Sequence, residues 1–122
     1  MKEKNIPIPS DLVLKVAIND IFDESAEPID ITDLTKVTLS FSSGGASKDF
    51  EITFAEGVAT CPDGISVVSP ENEDPYFVVC LCTSGLKPGQ LTLRSEVCIP
   101  DTRFHDDIRK EVSEYVFPII LT

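Results

Sequence analysis

The chain has 122 residues, 42% of them hydrophobic and 25% charged, with a formal charge of −11 and a pI near 4.3. That length fits one domain burying roughly two-thirds of its unfolded surface, so a core forms without staples, and the composition excludes wholesale disorder. The negative charge repels nucleic-acid phosphate and anionic bilayers, so neither is expected as a partner.

The first ten residues are polar, and Pro7 and Pro9 favour an extended backbone that cannot donate at those positions. This predicts an N-terminal arm over 1–10, ahead of a single β domain over 11–122. Ile6, Pro7, Ile8 and Pro9 are the residues expected to meet a partner, by strand addition or groove packing. Lys2 and Lys4 carry the charge of a secretion signal, but Lys15 interrupts the apolar stretch Leu12 to Ile18, so export is not expected.

From Asp11 the pattern alternates: Leu12, Leu14, Val16 and Ile18 point one way, Val13, Lys15, Ala17 and Asn19 the other, as in a half-buried strand. An acidic loop runs from Asp20 to Pro28, followed by a short extended piece at Ile29 to Ile31. Val37, Leu39 and Phe41 alternate with small polar residues up to Ser43-Gly44-Gly45-Ala46-Ser47, and Phe50, Ile52 and Phe54 alternate on the way back. That is the clearest hairpin. Val58 to Cys61 and Ile65 to Val68 flank Pro62-Asp63-Gly64 and predict a second, smaller hairpin.

After the proline- and acid-rich piece Ser69 to Pro75, the run Tyr76 to Cys82 is apolar on both faces and predicts a central strand. Leu91, Leu93, Ser95, Val97 and Ile99 give the longest amphipathic strand, entered through the turn Gly85-Leu86-Lys87-Pro88-Gly89. A polar loop from Pro100 to Asp107 leads to a last extended region up to Leu121, in which Pro118 belongs on an edge or at a bulge. Ile108, Val112 and Tyr115 also fall at helical spacing, so one helical turn competes there. Short strands with regularly spaced turns predict an all-β, antiparallel sandwich or barrel. The longest apolar runs, Tyr76 to Cys82 and Val116 to Leu121, fall well below the roughly 20 residues that span a bilayer as a helix.

Residues with chemical potential are few. The four cysteines, Cys61, Cys80, Cys82 and Cys98, are expected to stay reduced and to behave as small buried apolar residues. Cys80-x-Cys82 lacks the two to four intervening residues from which zinc takes its close ligand pair. His105 lies alone in a polar loop, which gives no base beside a nucleophile. The acidic groups around Asp20 to Glu27, Glu71 to Asp74 and Asp101 to Asp107 lack the alternating spacing of a calcium loop and read as solvated charge. No catalytic residue, metal or cofactor is expected. A ligand-binding alternative would use Tyr76, Tyr115 and the acidic loops, though a chain without tryptophan is poorly supplied with sugar-stacking platforms.

The loop Ile99-Pro100-Asp101-Thr102-Arg103-Phe104-His105-Asp106-Asp107-Ile108-Arg109 resembles a motif of virion-protein domains in phages of Bacteroides-type bacteria, including crAss-like phages. Gly85 to Leu91 is similar to the turn before the long strand of that family, and Pro28-Ile29-Asp30-Ile31-Thr32-Asp33 to an early segment of it. The match covers Leu12 to Leu121. His105 replaces the family's proline and Asp107 its glycine, so the turn survives only if Asp107 accepts a left-handed conformation. The resemblance implies an immunoglobulin-like β-sandwich made in the bacterial cytoplasm and located in the virion. It implies a non-enzymatic structural protein, an auxiliary capsid or head-fibre subunit, that forms homo-oligomers and contacts other capsid or fibre components. A tail or baseplate adaptor is the alternative.

Overall fold

The computed structural model describes residues 3–17, 35–56, 58–68, 71 and 76–122. They contain no helix. In chain order the strands are β1 (Lys4–Ile6), β2 (Asp11–Ala17), β3 (Lys36–Ser43), β4 (Ala46–Ala55), β5 (Val58–Thr60), β6 (Ile65–Val68), β7 (Tyr76–Cys82), β8 (Gly89–Pro100) and β9 (Ile108–Leu121). One sheet has the order β1-β9-β8-β3-β4-β5 and the other β2-β7-β6. Every pairing is antiparallel except that of β1 with β9. The acidic loop from Asp20, the extended piece at Ile29 to Ile31 and most of Ser69 to Pro75 lie outside the described residues.

The two sheets share one hydrophobic cluster, which explains the alternations in the sequence. Val37, Leu39 and Phe41 of β3, Ile52 and Phe54 of β4, and Leu91, Leu93, Val97 and Ile99 of β8 enter it from the larger sheet. Leu14 and Val16 of β2 and Phe77, Val79 and Leu81 of β7 enter it from the smaller. Phe41 has no exposed surface. Its ring meets Phe50 edge-on at 6.0 Å and stacks with Phe117 at 6.1 Å. Each fully buried side chain of this size contributes about 1.5–3 kcal/mol relative to exposure.

The expected first hairpin is β3–β4, closed by Gly44 and Gly45 with Ser43 opposite Ala46. Both glycines have positive φ, 58° and 88°, the pattern of a type I′ turn whose twist matches that of paired strands. The second expected hairpin does not form. β5 pairs with β4 in the larger sheet, whereas β6 pairs with β7 in the smaller one. Pro62-Asp63-Gly64 does turn, with Ile65 N–H donating to Pro62 O at 3.2 Å, but the turn carries the chain between sheets. Strands of three and four residues bury too little surface as an isolated pair, and each gains more from a longer neighbour in its own sheet.

β7 is central, as its composition predicts, but its outer face is open: Cys80 and Cys82 are exposed there. The 106–115 region is strand from Ile108 onward, without a helical turn. Pro118 lies at a bulge, where Phe117, Pro118 and Ile119 oppose the single residue Leu91. The Gln90 side-chain amide donates to the carbonyls of Phe117 and Ile119, satisfying acceptors that the interrupted ladder leaves open.

Candidate functional site

A groove of about 330 Å³ lies between β2 of the smaller sheet and β8 and β9 of the larger. β2 forms one wall through Val13 to Val16, while Leu93, Ser95, Ser113, Tyr115 and Phe117 form the floor and the other wall. β2 pairs with β7 on one side and, among the described residues, with no strand on the other. β9 pairs with β8 along its length, but on its outer side β1 covers only Ile119 to Leu121. From Ile108 to Val116 its outer backbone edge therefore has no strand partner among the described residues.

The exposed large apolar side chains concentrate at this edge. Val112, Tyr115 and Val116 are 49%, 52% and 60% exposed, and Val13 on β2 reaches 75%. Tyr115 is held edge-on against Phe117 at 4.9 Å, which fixes its ring at the groove. An unpaired edge bordered by apolar side chains is a template for strand addition, which natural sheets otherwise blunt with charge, bulges or covering segments.

Of the segment predicted as an arm, Lys4–Ile6 forms strand β1 and residues 6–10 are held against the rest of the chain. β1 adjoins β9, Thr122 N–H donates to Ile6 O at 2.9 Å, and Ile6 and Ile8 pack against the core. The Ile8–Pro9 peptide is cis. Ser10 closes the segment: its N–H donates to Thr83 Oγ1 at 2.7 Å, and the Thr83 hydroxyl donates to Ser10 O at 2.9 Å. Of the residues predicted to meet a partner, Ile6 and Ile8 are half-buried against the chain's own core, and Pro7 and Pro9 are on the surface.

The cysteines differ from expectation. Cys80 and Cys82 are exposed and Cys61 and Cys98 half-buried, because both members of the Cys80-x-Cys82 pair fall on the outer face of β7. Partial burial raises the pKa of the Cys61 thiol. No group of three or more His, Cys, Asp or Glu side chains placed to hold a metal occurs among the described residues. Tyr76 and Tyr115 are on different sheets. Lys15 Nζ sits 4.3 Å over the Tyr76 ring, and Tyr115 lines the groove, which Tyr76 does not.

The loop between β8 and β9 is built around Asp101. Arg103 donates to its carboxylate from the backbone at 3.0 Å and from Nε at 2.9 Å, and Arg109 approaches to 3.5 Å. The Arg103 side-chain hydrogen bond, first, then its backbone bond and the charges of both arginines hold Asp101 at a pKa of about 2 despite some desolvation. Asp107 takes φ +57°, in the left-handed region. His105 is exposed in this loop.

No protein-family model, curated protein or solved structure matches this chain. The free edge of β9 escaped the sequence reading because strand order within a sheet is not written in a strand's own alternation. One signal was available: Val112 and Val116 lie on the face opposite that of Phe117, so the last strand is apolar on a face where the core has no use for it.

Proposed function

We propose that this chain is a non-enzymatic structural subunit that works by protein–protein contact, an immunoglobulin-like sandwich of the kind that decorates phage capsids or forms head fibres. The observation that carries the proposal is the β9 edge beside the groove, which has no strand partner among the described residues and exposes Val112, Tyr115 and Val116, since such an edge gains most from a partner's strand. The immunoglobulin-like reading is supported by strand order. The orders β9-β8-β3-β4-β5 and β2-β7-β6 follow those of the G-F-C-C′-C″ and B-E-D strands of a variable-type domain, with β1 beside the last strand. The usual buried tryptophan is missing, and Phe41 and Phe77 fill the centre instead.

The left-handed φ of Asp107, at the position where the virion-domain motif has glycine, is what supports that part of the reading. The test is to pellet particles from the strain that encodes the chain, quantify the chain in them, and label it with gold-conjugated antibody. The proposal predicts stoichiometric copies with label on the head. Label on the tail would move the subunit to an adaptor role, and absence from purified particles would overturn the proposal.

A further inference from the structure

The edge of β9 that has no strand partner among the described residues is self-complementary, and we infer that its partner is the same edge of a second copy, joined antiparallel about a two-fold axis at Val112. This deepens the assembly reading by naming the occupant of the edge on which that reading rests. On the outer face of the sheet the edge carries Ile108, Lys110, Val112, Glu114 and Val116, all exposed. Turned end for end, the series matches itself: Ile108 lies opposite Val116, Lys110 opposite Glu114, and Val112 opposite its own copy.

Facing side chains across an antiparallel pair are near enough to interact, and like charges directly opposite are destabilising. Within each copy Arg94 is opposite Glu114, and Lys110 lies 3.8 Å from Glu96. Joining the edges then creates a row across the outer face running Arg94, Glu114 and the second copy's Lys110, alternating in sign.

The charges also select the register. Moving the axis by one residue toward the strand's start centres it on Glu111 and sets that carboxylate against itself. Moving it by two residues sets Lys110 against Lys110 or Glu114 against Glu114. An axis at Ser113 faces Lys110 with Val116 and Glu114 with Val112, so no opposite charges meet across the join. Of these axes only the one at Lys110 also pairs opposite charges, Arg109 with Glu111, and it does so at the cost of Lys110 against Lys110; the axis at Val112 pairs Lys110 with Glu114, and the inner face then sets Arg109 against Tyr115 and Glu111 against Ser113, with no like-charge contact.

The length is also set. The free stretch of nine residues, about 30 Å long, ends where β1 begins to cover β9 at Ile119. Strand addition here places three apolar contacts, two Ile108–Val116 pairs and the central Val112 pair, beside two Lys110–Glu114 pairs. The docked first residues therefore limit the edge instead of supplying it.

The experiment is sedimentation equilibrium of the full-length chain and of charge variants. The wild type is expected to show a reversible dimer of twice 13.4 kDa. K110E and E114K each replace two attractive contacts by two repulsive ones and are expected to weaken the dimer by roughly tenfold or more. Mixing K110E with E114K restores both pairs across the two-fold, so the mixture is expected to form a heterodimer that neither variant forms alone. A lost fold in a variant cannot mimic that rescue. A wild type that stays monomeric up to roughly 1 mM overturns the inference. So does a dimer indifferent to both reversals. In either case the assembly reading survives if the chain still pellets with particles, and the edge then takes a different protein's strand.

Discussion

Gly44 and Gly45 form one turn, both with positive φ, yet they differ in the space around them, and this makes a sharp test of the packing described above. A Cβ on Gly44 would stand 2.5 Å from Pro88 O and 2.7 Å from Lys87 Cβ, whereas one on Gly45 would meet nothing within 4 Å. The reason is that the β3–β4 turn is pressed against the segment leading into β8, where the Ser43 hydroxyl donates to Lys87 O at 2.6 Å. Gly45→Ala pays only for the backbone conformation, about 1–2 kcal/mol. Gly44→Ala has the same conformational cost and must also push backbone atoms apart, which adds about 1–3 kcal/mol. Urea unfolding followed by circular dichroism, with equal m-values for both variants, measures the difference. Equal destabilisation of the two variants would refute the close approach of the turns.

Three further outcomes follow from named contacts. Thr83→Val removes the hydroxyl that both accepts from and donates to Ser10, and is expected to cost about 1–3 kcal/mol and to speed amide exchange at Ser10; unchanged exchange would mean that the first residues are held elsewhere. Asp101, at about 2, lies below its ordinary value of 3.8, so its ion pairs stabilise the fold above pH 4 and are lost as pH falls toward 2. The stability gap between wild type and Asp101→Asn should therefore close across that interval, and a gap constant with pH would contradict the assignment. With a disulfide reagent at pH 8, the exposed Cys80 and Cys82 should react first and Cys61, whose thiolate is disfavoured by burial, more slowly; labelling sites read by mass spectrometry decide it.

The strands were legible where one face meets the core and the other meets water. Leu91 to Ile99, Val37 to Phe41 and Leu12 to Val16 alternate for that reason, and Pro118 marks its bulge because it has no N–H to donate. What the sequence left ambiguous was allocation between sheets. Val58–Thr60 and Ile65–Val68 are joined by a good turn, but turn chemistry is the same whether a chain doubles back or crosses over. The cysteines misled for a similar reason: a residue type that is usually buried says nothing about which face of β7 is covered. The docking of Ile6 and Ile8 was hidden because a parallel partner strand at the far end of the chain leaves no local trace. The free β9 edge, the main candidate for function, was half-visible as apolar residues on both faces of the last strand.

The most direct test of the claim that this chain acts through the β9 side of its larger sheet is lysine cross-linking mass spectrometry of the assembled protein. Lys110 lies on that edge and Lys15 on the groove wall, whereas Lys48, in β4, and Lys87, ahead of β8, line neither. The account predicts intermolecular cross-links from Lys110 and Lys15, with Lys48 and Lys87 modified but unlinked. Intermolecular links confined to Lys48 and Lys87, with Lys110 free, would contradict it.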